Sequence, residues 1–120
     1  MSDSIIDRFN KQRAQIDEDR KLAELSTDAV IEAIQEILSH AYGDTGGSKR
    51  CAAFILSLWD GGKYKCDLQD LLYTDSSVHH QFLMVMDFLH KTNNQLYTYV
   101  DESQVKPIIE AWGDVFLVEQ

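Results

Sequence analysis

The stretch Gly43-Asp44-Thr45-Gly46-Gly47-Ser48-Lys49-Arg50 separates two strongly apolar segments of the chain. Before it, residues 28–42 carry apolar side chains at the i, i+3, i+4 and i+7 spacing of an amphipathic helix, and residues 48–60 repeat that spacing after it. Glycines permit unusual backbone angles, and Asp, Thr and Ser side chains accept hydrogen bonds from the first N–H groups of a helix. The sequence therefore predicts that residues 43–50 form the corner between two core helices that pack antiparallel.

The rest of the chain predicts a mainly α fold, a compact bundle of about five helices. Residues 1–25 form a charged N-terminal helix or arm, and residues 26–120 form a single globular helical domain. A short helix is predicted after Asp67, and longer helices are predicted at 77–91 and about 103–112. The alternating Tyr and Thr residues at 95–100 are compatible with a short β-strand. This strand would pair with residues 115–118, so one short β-strand pair is possible.

Three local details accompany these helices. Asp67 is predicted to cap the short helix, which is anchored in the core by Leu68, Leu71, Leu72 and Tyr73. The last helix is expected to hold Pro107 early, where first-turn N–H groups lack partners, and to end at Gly113.

The charge of the chain is strongly negative and uneven. The net charge of the 120 residues is −9, whereas residues 67–120 alone hold nine acids and two bases, a net charge of −7. Such a surface repels nucleic acid and anionic membranes and attracts a basic protein surface. The alternative is that negative charge merely keeps a small domain soluble.

The location expected from the sequence is the bacterial cytoplasm. No apolar run reaches the roughly 18 residues of a membrane span, and the acidic N-terminus does not fit a signal peptide. Two cysteines, Cys51 and Cys66, are too few for a secreted disulfide scaffold, and Cys51 lies in an apolar helical run that predicts a core position.

Two catalytic motifs are matched only in part by residues 43–50. Asp44-Thr45-Gly46 matches the aspartic-protease triplet, but that family uses two copies among apolar strands. The order Gly47-Ser48-Lys49 departs from the Walker pattern, which also follows a strand. No enzyme activity and no cofactor are expected from this sequence.

A weaker hypothesis is that the corner holds one anion. The N–H groups at the start of the 48–60 helix, together with Lys49 and Arg50, have suitable chemistry. The alternative is that Asp44, Thr45 and Ser48 satisfy those N–H groups themselves, while Arg50 pairs with Asp67 or Asp70.

A metal site is not predicted. His79 and His80 are adjacent, so on a helix they diverge by about 100° and do not share one metal ion. Neither cysteine has a second Cys or a His at a zinc spacing.

The corner also carries a resemblance. Gly43-Asp-Thr-Gly-Gly-Ser-Lys-Arg50 followed by Ala53-Phe-Ile-Leu-Ser-Leu-Trp59 resembles a family of small uncharacterised proteins from bacterial plasmids, phages and integrated elements. Asp67-Leu-Gln-Asp-Leu-Leu72 is similar to a downstream segment of that family, and the resemblance covers about residues 30–112. It implies a mobile-element setting and a mostly helical fold, with no catalytic residues.

Three hypotheses for the function follow. The first is an inhibitor, of the anti-CRISPR type, that occludes the basic surface of a nucleic-acid-binding host complex through the carboxylates of Asp67, Asp70, Asp75, Asp87, Asp101 and Glu102. The second is a homodimeric accessory protein of plasmid or phage maintenance, assembled through the N-terminal helix. The third is a small-molecule or anion binder that uses Asp44, Thr45, Ser48, Lys49 and Arg50.

Overall fold

Helices make up most of the computed structural model, which describes the backbone of residues 2–25 and 27–118 and the side chains of residues 5–16, 18 and 27–118. Within these residues the helices are α1 (Ser2–Leu25), α2 (Thr27–Ala41), α3 (Gly46–Trp59), α4 (Leu68–Leu71), α5 (Ser76–Thr92) and α6 (Glu102–Phe116). A 3-10 turn at Leu96–Thr98 joins the last two. The prediction of a mainly helical chain is confirmed.

Helix α2 lies at the centre of the core because its apolar side chains form a stripe along one face. It packs against α3 and α5, and α3 packs in turn against α6. Ile34 and Ile37 are completely buried, as the periodic spacing predicts. Helix α3 buries more than one face, since all residues from Cys51 to Leu56 are enclosed. Phe54 of α3 stacks on Phe82 of α5 with ring centroids 4.2 Å apart, so α3 and α5 also meet in the core.

The predicted β-strand pair is wrong. Residues 96–98 form the 3-10 turn, in which Leu96 is buried and the Val100 N–H donates to the Leu96 carbonyl at 3.1 Å. The C-terminal segment pairs elsewhere, because Tyr64 and Leu117 form an isolated antiparallel bridge. Two hydrogen bonds of 2.9 Å complete it, from Lys65 N–H to the Phe116 carbonyl and from Val118 N–H to the Lys63 carbonyl.

Gly113 does not end the last helix, which continues to Phe116. Gly113 is buried, and a Cβ placed on it would lie 3.3 Å from Ile109 Cγ2 and 3.6 Å from Tyr64 Cε1. The glycine therefore lets the Tyr64 ring approach α6. Pro107 is also deeper than predicted, since α6 starts at Glu102 and the proline lies beyond the first turn.

Helix α1 contributes little to this core. Its described side chains, from residue 5 to 16 and at 18, are all exposed. The exposed set includes Ile5, Ile6, Phe9 and Ile16. The whole chain measures 59 × 28 × 27 Å, which is elongated for a chain of this length.

Phe82 provides a direct test of the core. Replacing Phe82 with Ala should lower the free energy of unfolding by about 3–5 kcal/mol, because the stacked partner of Phe54 is lost and a cavity is left. The neighbouring residue is a matched control, since Leu83 is exposed. Leu83→Ala should change stability by no more than about 0.5 kcal/mol. Urea titrations of both variants measure this, and equal losses would contradict the packing described.

An α2–α3 corner and an exposed acidic segment as the candidate functional site

The corner between α2 and α3 is built around a capped helix start. Thr45 has an extended backbone, with φ −85° and ψ 172°, and its Oγ1 accepts a hydrogen bond from the Ser48 N–H at 3.0 Å. The two hydroxyl oxygens of these residues are also in hydrogen-bond contact at 2.9 Å, and Ser48 is buried. A Cβ on Gly43 would lie only 2.6 Å from Ser48 Oγ. The predicted cap by Thr45 is therefore confirmed, and Gly43 is needed for a close approach rather than for a positive φ.

The structure of the corner agrees in part with the hypothesis that it binds an anion and in part with the hypothesis that its own side chains satisfy the helix N–H groups. Thr45 satisfies the Ser48 N–H, as the alternative requires. The N–H groups of Gly46 and Gly47 donate to no group within the described residues. Asp44 and Lys49 are exposed. The structure thus leaves two backbone donors at the helix start, and of the five residues predicted for the anion it brings Thr45, Ser48 and Arg50 to one cavity.

Arg50 has a different partner from the one predicted. In the described part of the chain it forms no ion pair with Asp67 or Asp70, and its Nη1 donates to the Tyr73 carbonyl oxygen at 3.4 Å. The reason is that Arg50 lies one turn into α3, beside the end of the α4 segment. This contact joins the corner to residues 67–75.

A cavity of about 300 Å³ lies where these two parts meet. The corner contributes Thr45, Ser48 and Arg50 to its lining, and the segment after α4 contributes Tyr73 and Asp75. His40, from the last turn of α2, also lines it. His40 and Tyr73 were not predicted as members of this site. Tyr73 lies 23 positions after Arg50, and no local sequence pattern shows that the two residues are in contact.

The segment 67–75 is more exposed than its sequence predicts. Asp67 caps α4 as predicted, since its carboxylate accepts the Gln69 N–H at 2.9 Å. Of the four residues predicted to anchor this helix, only Leu71 is buried. The prediction is wrong for the other three, whose exposed fractions are 71% for Leu68, 70% for Leu72 and 64% for Tyr73. A helix of a single turn presents one residue to the core and leaves its neighbours outside.

The exposed apolar side chains stand among carboxylates. Asp67, Asp70 and Asp75 are all exposed, and both Asp67 and Asp70 act on the nearby Cys66, helping to raise the pKa of its thiol. We call the exposed residues of this segment the α4 surface. They are Asp67, Leu68, Asp70, Leu72, Tyr73 and Asp75. The α4 surface therefore combines three exposed apolar side chains with three carboxylates.

The remaining predicted carboxylates lie in other elements and have local roles. Asp87 forms an i, i+4 ion pair with Lys91 at 2.7 Å on α5. Asp101 caps α6 in a capping box with Gln104, and its hydrogen bonds to Ser103 lower the pKa of its carboxyl. Glu102 is exposed in the first turn of α6. No described contact joins these three residues to the α4 surface.

Thiols and metal-binding side chains are the other candidate chemical groups in the described residues. Cys51 faces the core as predicted, and burial raises the pKa of its thiol to about 11. Burial likewise raises the pKa of the Cys66 thiol, and both cysteines are free. The part of the chain that the structure describes contains no cluster of three or more His, Cys, Asp or Glu side chains able to hold a metal ion. In that same part, no helix combines the length and the apolar character that a membrane crossing requires.

These features define a small helical protein whose distinctive parts are the corner and the α4 surface. Residues 31–113 match the model described as Family of unknown function (DUF7673), and the chain belongs to this family. The match covers the corner, the α4 surface and most of α6, and it leaves α1 outside. No curated protein and no solved structure matches the chain.

The cap at Thr45 generates a prediction about α3. Thr45→Ala removes the acceptor of the Ser48 N–H and should lower the free energy of unfolding by about 1 kcal/mol. Thr45→Ser keeps the hydroxyl and should retain most of the stability. Thermal unfolding of the two variants compares them directly. Equal losses in both would show that the hydrogen bond is not what matters at this position.

Cys51 generates a prediction about pH. Burial holds the folded thiol protonated until about pH 11, whereas an ordinary thiol ionises near 9.0. The unfolded state therefore releases the proton first, and stability should fall as the pH rises between these values. Cys51→Ala should show a smaller fall over the same range, measured by urea unfolding at each pH. An identical fall in the variant would assign the effect to other groups.

Proposed function

We propose that this protein is a small acidic protein-binding module that docks on a basic protein surface through the α4 surface. In its host it would act for a mobile genetic element as an inhibitor of a nucleic-acid-binding complex, in the manner of an anti-CRISPR protein. The observation that carries this proposal is the exposure of Leu68, Leu72 and Tyr73 among Asp67, Asp70 and Asp75.

The apolar part of the α4 surface supports binding to a protein. Three large apolar side chains, two of them consecutive, remain exposed on a short segment. Clustered apolar and aromatic side chains of this kind supply most of the affinity at protein interfaces once they are buried. The segment is also held in place, because Leu71 is buried beneath it and Arg50 binds the Tyr73 carbonyl. A segment fixed before binding loses less entropy on association.

The charged part of the α4 surface supports a basic partner. Its three carboxylates are exposed, and residues 67–120, to which they belong, carry a net charge of −7. Opposite charge on a partner speeds the encounter and sets the orientation of the complex. Asp101 and Glu102 add to this field from α6, whereas the charge of Asp87 on α5 is paired with Lys91.

A groove built for DNA or RNA is a basic surface of this type. Lys and Arg side chains that neutralise phosphates in such a groove are equally able to pair with carboxylates. An acidic protein with an apolar anchor competes with the nucleic acid for that groove without binding nucleic acid itself. This mode of action needs no catalytic group and no cofactor.

The inhibitor proposal is tested on purified bacterial CRISPR effectors loaded with guide RNA. The protein should reduce binding of target DNA by an effector that it recognises, measured by fluorescence anisotropy of labelled DNA. It should not bind the labelled DNA alone. If the protein inhibits none of the effectors in a panel from several bacteria, the inhibitor role is overturned.

The contribution of the α4 surface is tested with charge-neutral variants that keep the cap. A triple variant with Asp67→Asn, Asp70→Asn and Asp75→Asn should weaken inhibition and flatten its salt dependence, since Asn still caps a helix. The matched control carries Asp28→Asn, Glu32→Gln and Glu110→Gln, which remove the same charge from exposed positions elsewhere. Equal weakening in both variants would point to net charge rather than to this surface.

A second pair of variants tests the apolar side chains of the α4 surface. Leu72→Ala should weaken inhibition by roughly tenfold, as expected for an anchor at an interface. Leu83→Ala removes an exposed leucine from α5 and should leave inhibition unchanged. Unchanged inhibition in both would exclude the apolar centre of the α4 surface from the interface.

A further inference from the structure

The cavity between the α2–α3 corner and the segment after α4 is lined by two opposite charges that do not pair with each other. Arg50 contributes to the lining from α3, and Asp75 contributes from the position before α5. Within the described residues, Arg50 donates only to the Tyr73 carbonyl oxygen and forms no ion pair. The Asp75 carboxylate accepts no hydrogen bond from the start of α5, although aspartate is a strong capping residue. Both charged groups therefore keep most of their hydrogen-bonding capacity.

The α3 side of the cavity supplies a further hydrogen-bond donor. Thr45 and Ser48 both line the cavity, and their hydroxyl oxygens are 2.9 Å apart. Only one of the two hydroxyls donates in this contact, so the hydrogen of the other has no acceptor among the residues that the structure describes. Ser48 is 5% exposed, which holds the pair in place beside Arg50.

We propose that this cavity binds a small zwitterion of the α-amino acid type. The ligand carboxylate accepts hydrogen bonds from the Arg50 guanidinium and from the spare hydroxyl, and the ligand ammonium group donates to the Asp75 carboxylate. The planar guanidinium matches a carboxylate with two parallel N–H groups. A simple anion meets the like charge of Asp75 in the same cavity, and a simple cation meets the like charge of Arg50. Only a ligand that carries both charges satisfies both side chains.

The size and the apolar lining of the cavity also fit this class of ligand. Pockets for small molecules usually enclose about 300–1,000 Å³, so a cavity of about 300 Å³ accepts only a small one. Cys51 and Val78 contribute apolar surface to the lining, which matches a short apolar side chain. The proposal does not rest on the inhibitor role, because it concerns a small molecule bound by the isolated chain.

The first experiment screens the full chain against the natural α-amino acids by thermal unfolding. A ligand that binds only the folded state raises the unfolding temperature as its concentration rises. At least one amino acid with a short side chain should do so. Its two fragments, the amine without the carboxylate and the acid without the amino group, should have much smaller effects. For L-valine these fragments are isobutylamine and 3-methylbutanoate. The proposal is overturned if no amino acid stabilises the protein, or if one fragment stabilises it as well as the whole amino acid does.

The second experiment assigns the two charges with the amino acid that stabilises the protein most. Arg50→Gln and Asp75→Asn should each weaken its binding by roughly tenfold or more, because each removes a charged hydrogen bond. Lys49→Gln and Asp114→Asn remove the same charges from exposed positions outside the cavity lining and should leave the affinity unchanged. Asparagine still caps a helix, so Asp75→Asn tests the site even where Arg50→Gln fails to fold.

An NMR titration of the labelled protein measures these affinities and locates the ligand. The backbone amide signals of residues 45–50 and 73–75 should shift as the amino acid is added, because these residues surround the cavity. Shifts confined to other parts of the chain would contradict the proposed site. Equal weakening in the cavity variants and in their controls would show that the binding depends on net charge and would also overturn the proposal.

Discussion

The close contact between Gly43 and Ser48 is the constraint on which the rest of the fold depends. A Cβ on Gly43 would lie 2.6 Å from Ser48 Oγ, so a larger residue here would force the Ser48 side chain away from its contact with Thr45. The turn brings α2 and α3 together, and their facing residues include the most deeply buried isoleucines of the protein. Helices α5 and α6 then pack on this pair, one on α2 and the other on α3. The packing of the core helices is therefore centred on the α2–α3 pair.

Helix periodicity and capping residues were readable in the sequence because they act over a few neighbouring residues. The stripe of α2, the cap at Thr45 and the cap at Asp67 are of this kind. The pairing of Tyr64 with Leu117 could not be predicted, since the two residues are distant in the sequence and no local pattern links them. The role of Gly113 was hidden for the same reason. Only the arrival of Tyr64 from a distant segment shows why a side chain is missing there.

Only part of the candidate site could be predicted from the sequence. Composition identified the acidic character of residues 67–120, and local spacing identified the corner. The exposure of Leu68, Leu72 and Tyr73 depends on how little of α4 reaches the core, which no local pattern reveals. The partner of Arg50 likewise depends on the path of the chain after α4, which brings a backbone carbonyl nearer than any carboxylate. Exposed apolar side chains are found here where tertiary packing overrides the apparent amphipathic pattern.

The bridge between Tyr64 and Leu117 has a consequence for how the chain folds. It joins two segments separated by nearly half the sequence, and a contact between such distant residues carries a large loop-closure entropy. Helices α4, α5 and α6 lie within that loop. The α2–α3 hairpin, by contrast, is closed by a turn of four residues, so we expect it to form earlier than the bridge. We expect the bridge between Tyr64 and Leu117 to form last, after the helices between its two ends have packed.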